Sequence, residues 1–431
     1  MTEITLRTGA RNIQQEMTVP GDKSISHRAI MLGSIAEGKT TITGLLKADD
    51  CLSTMDIMRQ LGVNITEEQD KVIIEGKGLA GLQPSDNPLD AGNSGTTIRL
   101  LSGLLAGQNF STQLIGDASL SKRPMDRIVN PLKLMGANIE GQGERHLPPL
   151  TINSVKTLKA IQYEMPVASA QVKSAILLAG LQANGTTQII EKEMSRNHTE
   201  EMLEQFGVEI HVQNKEITLK GGQQLIGQDV DVPGDISSAA FFIAAGLLVP
   251  DSQIKINNVG YNKTRSGILE VIKSMNAELD IHVRENKFSA DIQVRSSQLS
   301  ATIIEGDIIP SLIDEIPIIA LLATQASGTT VIKDAQELRV KETDRIEAVA
   351  VTLNKMGADV TATEDGFIIH GPTPLKGAQV DSYGDHRIAM MLQIASLLVD
   401  VKDEVNLIDP ECVDISYPNF FDVINSLLLD E

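Results

Sequence analysis

Two cysteines in 431 residues, Cys51 and Cys412, cannot build a disulfide framework, which points to a reducing, cytoplasmic setting. No stretch approaches the roughly eighteen uninterrupted apolar residues of a membrane helix, and no basic-then-apolar segment opens the chain. Cationic charge is scarce: 37 Lys and Arg face 57 Asp and Glu, for a net charge of −20. That balance argues against a nucleic-acid or anionic-membrane partner. No His/Cys cluster has metal-ligand spacing and no Ser-His-Asp order stands out, so neither a metal nor a cofactor is expected. What remains is a soluble enzyme or binding protein, too long for one core and expected to form two domains. In so acidic a chain, the places where Lys and Arg gather are the places to look for a bound anion.

A short repeat runs through the sequence. A helix ends in a bulky apolar residue, then Gly or Asn, then Ala or Val, then an alternating strand. The copies are MRQLGVNIT (58–66), LKLMGANIE (132–140), LEQFGVEIH (203–211), IKSMNAELDI (272–281) and LNKMGADVTA (353–362). Gly, or Asn at 276, suits the left-handed residue that ends a helix. A second helix type, apolar all round and therefore buried, alternates with the first: Ala29–Ala36, Ile98–Ala106, Ala175–Gln182, Ala239–Val249, Ile316–Gln325 and Ile388–Val399. Most are followed by a Gly-Thr-Thr type strand start, as at Gly38, Gly185 and Gly328. A sixth unit would take its helix from Asn419–Leu429 and its missing strand from Glu3–Arg7, bringing the termini together in one domain. The expected fold is α/β (α+β): six βαβαββ-like units, three per domain, with buried parallel helices. An ordinary doubly wound α/β protein is the alternative.

The frame Val19-Pro20-Gly21-Asp22 followed by small hydroxyl residues recurs at Val232-Pro233-Gly234-Asp235. The domain boundary is expected there, with 20–233 as one domain and 1–19 plus 234–431 as the other, hinged near Pro20 and Pro233. Each copy opens a buried helix whose free N–H groups and dipole favour an anion. Only the first adds Lys23, Ser24 and Arg28.

Other stretches suit anions in the same way. Gly92-Asn93-Ser94-Gly95 is a small-residue loop before a buried helix, and Pro124 fixes the backbone just after Arg123. Ser169 and Gln171 are neutral donors at a third helix start, and Ser195-Arg196-Asn197-His198 opens the following helix. Asp314-Glu315 stand at the start of an apolar run, where the dipole alone favours carboxylates. Lys341, Glu342 and Arg345 are expected within one helical turn, with Glu342 among cations that would hold it ionised. Arg387 is a cation at a helix start, unfavourable unless an anion binds there. Each piece alone is open to a simple capping or solvated-face reading. Together they predict a cationic cleft for two polyanionic substrates, with Lys23, Asp314 and Glu342 as the acid–base candidates.

Pro-Gly-Asp-Lys-Ser-x-Ser-His-Arg, Gly-Asn-Ser-Gly-Thr-Thr-x-Arg, Lys-Arg-Pro-Met, Ser-Ala-Gln-Val-Lys-Ser, Arg-Val-Lys-Glu-Thr-Asp-Arg and Asp-His-Arg, in this order over residues 19–420, closely resemble the 5-enolpyruvylshikimate-3-phosphate synthase family. The resemblance implies an enolpyruvyl transferase-like fold, an inside-out α/β barrel of two three-repeat domains closing on substrate. It implies transfer of the enolpyruvyl group of phosphoenolpyruvate to the 5-hydroxyl of shikimate 3-phosphate, in the shikimate pathway to chorismate and aromatic amino acids. It further implies a monomer without cofactor or metal, and a target of glyphosate. By the same resemblance Lys23, Gly95, Arg123, Gln171, Arg345 and Arg387 would hold phosphoenolpyruvate. Lys23, Ser24, Arg28, Ser169, Gln171, Arg196, Asp314 and Lys341 would hold shikimate 3-phosphate. Asp314 would take the 5-hydroxyl proton, and Glu342 and Lys23 would handle the proton at C3.

Two positions depart from relatives: Ile415 stands where many carry lysine, and Gly95 where the best-known glyphosate-tolerant enzymes carry alanine. The nearest rival is the UDP-N-acetylglucosamine enolpyruvyl transferase. It would show a Lys-Asn pair and a loop cysteine, whereas Ser24 follows Lys23 and both cysteines are expected outside the site loops. A non-catalytic phosphosugar-binding repeat protein would need the cations but not the placed carboxylates.

Overall fold

A computed structural model describes residues 2–285 and 288–428. The chain divides into two compact units: a continuous one, Gly21–Val232, and a discontinuous one, Met1–Pro20 with Pro233–Glu431. Each has its own hydrophobic core. No helix among the described residues is long and apolar enough to cross a membrane.

Six buried helices form the centres of the two cores. They are α1 (Lys23–Ile35), α2 (Gly95–Leu105) and α3 (Ala170–Gly180) in the continuous unit. In the discontinuous unit they are α4 (Ile236–Leu248), α5 (Ile316–Gln325) and α6 (His386–Ser396). Their apolar runs have no polar face, so each must be covered all round; every α6 residue is buried. Most of these helices start several residues before the apolar runs expected from sequence. Lys23 through Arg28 are already helical in α1, because the Asp22 carboxylate accepts the Ile25 N–H at 2.8 Å and caps the helix there.

The second repeat shows the common plan. Strand Leu89–Asp90, α2, strand Thr112–Ile115, helix Asp126–Leu134 and strands Asn138–Gln142 and Leu147–Asn153 follow one another. The first two strands pair in parallel and the hairpin continues antiparallel, from Leu89↔Leu114 through Leu114↔Leu150 to Ile139↔Ile152. The same order recurs around α3, with strands Gln162–Glu164, Thr186–Ile190, Glu216–Lys220 and Ile210–Gln213. Around α1 the leading strands come from the far end of the unit, where Leu225–Ile226 and Asp229–Asp231 pair in parallel with Ala36–Thr43.

The discontinuous unit repeats the scheme with the same circularity. Gln14–Met17 leads the repeat around α4, in parallel with Gln253–Gly260. Glu3–Thr5 completes the sixth sheet, antiparallel to Val405–Ile408 with Ile4 opposite Leu407. The C-terminal helix is Phe420–Leu427, and the expected end at Leu429 lies outside the described residues. The helix-ending motifs work as their chemistry requires: Gly62, Gly136, Gly207 and Gly357 sit at φ +86°, +91°, +87° and +97°, and Asn276 at +63°.

Candidate active site

In the continuous unit, side-chain bonds link the N-terminal ends of α1, α2 and α3 into a ring. Lys23 Nζ lies 3.0 Å from Asp50 Oδ2, and the Asp50 carbonyl accepts from the Thr97 hydroxyl of α2 at 3.4 Å. Gln171 of α3 donates to Thr96 Oγ1 of α2 at 3.1 Å. Arg28 closes the ring, with Nη2 donating to Ser174 of α3 at 2.8 Å and Nε to Thr199 at 2.6 Å. Parallel helices whose starts are tied together present their free N–H groups and positive dipole ends to one region.

The candidates from sequence populate this end. Ser169 caps α3 by accepting the Val172 N–H, and Ser24 offers its carbonyl to Arg28 Nη1 at 2.9 Å. Arg123 donates to Asn93 Oδ1 at 2.8 Å. A Cβ on Gly95 would stand 2.8 Å from Arg99 Nη1 and 3.2 Å from Arg123 Nη1, so this glycine leaves room for two guanidinium groups against the start of α2. Arg28 is 5% exposed; burial pulls it down to about 10, Glu200 and Asp22 oppose that, and Arg196 adds to it. Cys51, expected outside the site loops, lies on helix Asp49–Gln60, where it follows Asp50 and places Sγ 3.9 Å from the Lys23 carbonyl.

In the discontinuous unit the starts of α4, α5 and α6 are joined by charge. Arg345 is 1% exposed and central. Its Nε donates to Asp385 Oδ2 at 2.7 Å, Nη2 to Glu342 Oε2 at 2.7 Å, and Nη1 to Asp314 Oδ1 at 3.3 Å. Burial disfavours its charge, but Asp385, Glu342 and Asp314 outweigh that and push it above the ordinary arginine range. Lys341 Nζ lies 3.3 Å from Asp314 Oδ1 and Arg387 Nη2 3.9 Å from Oδ2, so three cations surround one carboxylate. Glu315 does not cap α5 with its side chain, because its carboxylate is taken by Arg265 at 2.7 Å and Arg387 at 3.5 Å. Asp314-Glu315 are therefore ion-pair partners rather than dipole ornaments.

Two sequence expectations change here. Lys341, Glu342 and Arg345 do not share a helical turn: the 3₁₀ segment ends at Val340, Lys341 is extended, and the helix begins at Arg345. Asp344 sets that start by accepting the Glu347 N–H. Arg387 at a helix start is balanced within the chain, since Asp385 caps α6 through the Arg387 N–H and Glu315 faces its guanidinium. Sequence reading missed Asp50, Arg99, Arg265 and Asp385 as partners of site residues. Arg99 Nη1 donates to Gln171 Oε1 at 2.8 Å, and its place at the end of the Gly-Asn-Ser-Gly-Thr-Thr-x-Arg motif was the one available signal. Ile415 packs its partly buried side chain against the core.

Chemically, the discontinuous unit offers two carboxylates, Asp314 and Glu342, on a cationic scaffold, and the continuous unit offers amide, hydroxyl and cationic donors. That is equipment for moving protons on anionic substrates. The model for EPSP synthase (3-phosphoshikimate 1-carboxyvinyltransferase) matches residues 7–424. Proteins named 3-phosphoshikimate 1-carboxyvinyltransferase are similar to this chain. That of Enterococcus faecalis is 58% identical over 98% of this chain and 99% of its own length. That of Listeria monocytogenes is 57% identical, with the same coverage. Among solved structures, the EPSP synthase of Acinetobacter baumannii superposes with a TM-score of 0.87 at 43% identity, covering 99% of this chain and 98% of that one. The enolpyruvyl transferase NikO of Streptomyces tendae, at 15% identity and a TM-score of 0.78, shares the fold. Matched over nearly its whole length in sequence and in structure, the chain belongs to the EPSP synthase family.

Proposed function

We propose that the chain transfers the enolpyruvyl group of phosphoenolpyruvate to the 5-hydroxyl of shikimate 3-phosphate, releasing phosphate. The observation that carries this reading is the grouping of Asp314 and Glu342 on three cations, Lys341, Arg345 and Arg387. A merely phosphosugar-binding protein has no use for carboxylates at that place. In the addition step the 5-hydroxyl oxygen attacks C2 of phosphoenolpyruvate while its proton passes to Asp314, and Lys23 and Glu342 handle the proton at C3, the Lys23 ammonium giving it and the ionised Glu342 taking one back in the elimination. In the elimination step the new methyl group returns a proton, the double bond re-forms and the C2–O bond to phosphate breaks. Arg123, Arg345 and Arg387, with Lys23 and Gln171, balance the phosphoenolpyruvate charges, Gly95 leaving space beside them. Ser24, Arg28, Ser169, Arg196 and Lys341, with Lys23, Gln171 and Asp314, hold shikimate 3-phosphate. Closure about the crossings at Pro20 and Pro233 would bring the two sets of residues to one substrate pair. Small-angle scattering should then show a smaller radius of gyration with shikimate 3-phosphate, and an unchanged radius would remove the closure.

The discriminating experiment follows phosphate release from phosphoenolpyruvate with either acceptor. Release with shikimate 3-phosphate alone is expected; release only with UDP-N-acetylglucosamine would overturn the assignment. Glu342→Gln should keep shikimate 3-phosphate binding nearly intact by titration calorimetry and lower turnover about 10²-fold or more. Near-normal turnover in that variant would take Glu342 out of the proton transfers.

A further inference from the structure

A second charge cluster lies wholly inside the continuous unit, one turn into α3, and no step above uses it. Lys173 is 1% exposed. Its Nζ lies 2.6 Å from Glu200 Oε1 and 3.1 Å from Glu191 Oε2, and donates to the Ser195 carbonyl at 3.3 Å. Glu191 in turn accepts the Ser195 N–H at 3.0 Å and its hydroxyl. Burial pushes the Glu200 carboxyl up and Lys173 pulls it back.

The neighbours of this cluster are the shikimate 3-phosphate candidates. Ser195, gripped from both sides, is followed directly by Arg196. Ser174 and Thr199, adjacent in sequence to Lys173 and Glu200, bond each other at 2.6 Å and together hold Arg28. One buried knot therefore fixes the backbone at Arg196 and the guanidinium of Arg28. We infer that Lys173, Glu191 and Glu200 are positioning residues that set the affinity for shikimate 3-phosphate by holding Arg28 and Arg196 in place, without touching substrate or the reacting atoms. The inference rests on the function proposed above. Its physical basis is that a charge-assisted hydrogen bond misplaced by a mobile loop loses most of its worth, while the groups on α1 and α2 facing phosphoenolpyruvate keep their own supports.

Lys173→Met would leave two buried carboxylates without the lysine that bridges them and can fail to fold. Glu191→Ala is the better probe, since the Lys173–Glu200 pair survives while the hold on Ser195 is lost. Its KM for shikimate 3-phosphate should rise about tenfold or more, in line with losing one charged hydrogen bond. The KM for phosphoenolpyruvate and kcat should stay within about threefold, and calorimetry should show the same loss of shikimate 3-phosphate affinity. Glu191→Gln keeps an acceptor for the Ser195 N–H and should recover most of that affinity. An unchanged KM for shikimate 3-phosphate in folded Glu191→Ala would overturn the inference. So would equal changes in both KM values and kcat, or Gln behaving like Ala. If the wild-type chain did not turn over shikimate 3-phosphate at all, the proposed function would fail instead, so the two failures are distinguishable.

Discussion

Asp314→Asn is expected to lower kcat about 10³-fold while leaving the fold and substrate binding in place. The amide has the shape of the carboxylate and can still accept from Lys341 and Arg345, both 3.3 Å from Oδ1. It cannot take up a proton as the 5-hydroxyl attacks, and general base catalysis contributes ~10²–10⁴-fold. Removing one negative charge from among Lys341, Arg345 and Arg387 also leaves those cations more available to anions. Shikimate 3-phosphate should therefore bind as well as in the wild type or better, so the defect falls on kcat rather than KM. Steady-state phosphate release with calorimetric binding checks both halves. Turnover within tenfold of wild type would assign the proton to another base, and a large loss of binding would make Asp314 a substrate contact alone.

The parts of this fold legible in the sequence are those set by local chemistry. The six apolar helices could only be buried, and the Gly or Asn that ends each preceding helix type follows from the left-handed backbone it must adopt. The missing strand of the sixth repeat, expected at Glu3–Arg7 from counting repeats, is seen at Glu3–Thr5, and its pairing with Val405–Ile408 spans the whole chain. The cations were visible because so few gather anywhere else in an acidic sequence.

Partners brought together by topology were not legible. Asp385 lies 40 positions from Arg345, and Arg265 lies 50 from Glu315, in a loop with no motif around it. Asp50 looks like one of two ordinary acids opening a helix, where the dipole already accounts for it. Lys173, Glu191 and Glu200 are separated by two strands and a loop, so nothing in their spacing suggests a common buried site. The misplaced helix start at Lys341 is a different failure. Asp344-Arg345-Ile346-Glu347 is a capping pattern, and this local signal sets the helix start more strongly than the charged run before it.

Arg345→Met should be the most damaging single change in the discontinuous unit. Methionine fills much of the space but leaves Asp385, Glu342 and Asp314 without their shared guanidinium, and Asp385 is fully buried. Removing one partner of a buried ion pair costs ~3–5 kcal/mol, which corresponds to a fall of roughly 10 °C in the unfolding midpoint of a unit this size. Turnover should be lost as well, because Asp314 and Glu342 both take their position from this guanidinium.

The stability deficit should depend on pH, with a definite sign. Without the guanidinium, the fully buried Asp385 carboxylate loses its ion-pair partner and its charge is disfavoured in the folded variant, whereas Asp314 keeps Lys341 and Arg387. The folded variant then binds more protons, so its stability relative to wild type improves as pH falls. The deficit should be largest near about pH 8 and shrink toward about pH 5. Adding Asp385→Asn to Arg345→Met should likewise cost less than the sum of the two single changes, since the second removes the charge that the first left stranded. Circular dichroism melts of the two single variants and the double variant, taken across that pH range, test the whole argument. A deficit of under ~1 kcal/mol, unchanged by pH and additive with Asp385→Asn, would mean that Arg345 serves substrate alone and that the cluster does not depend on it.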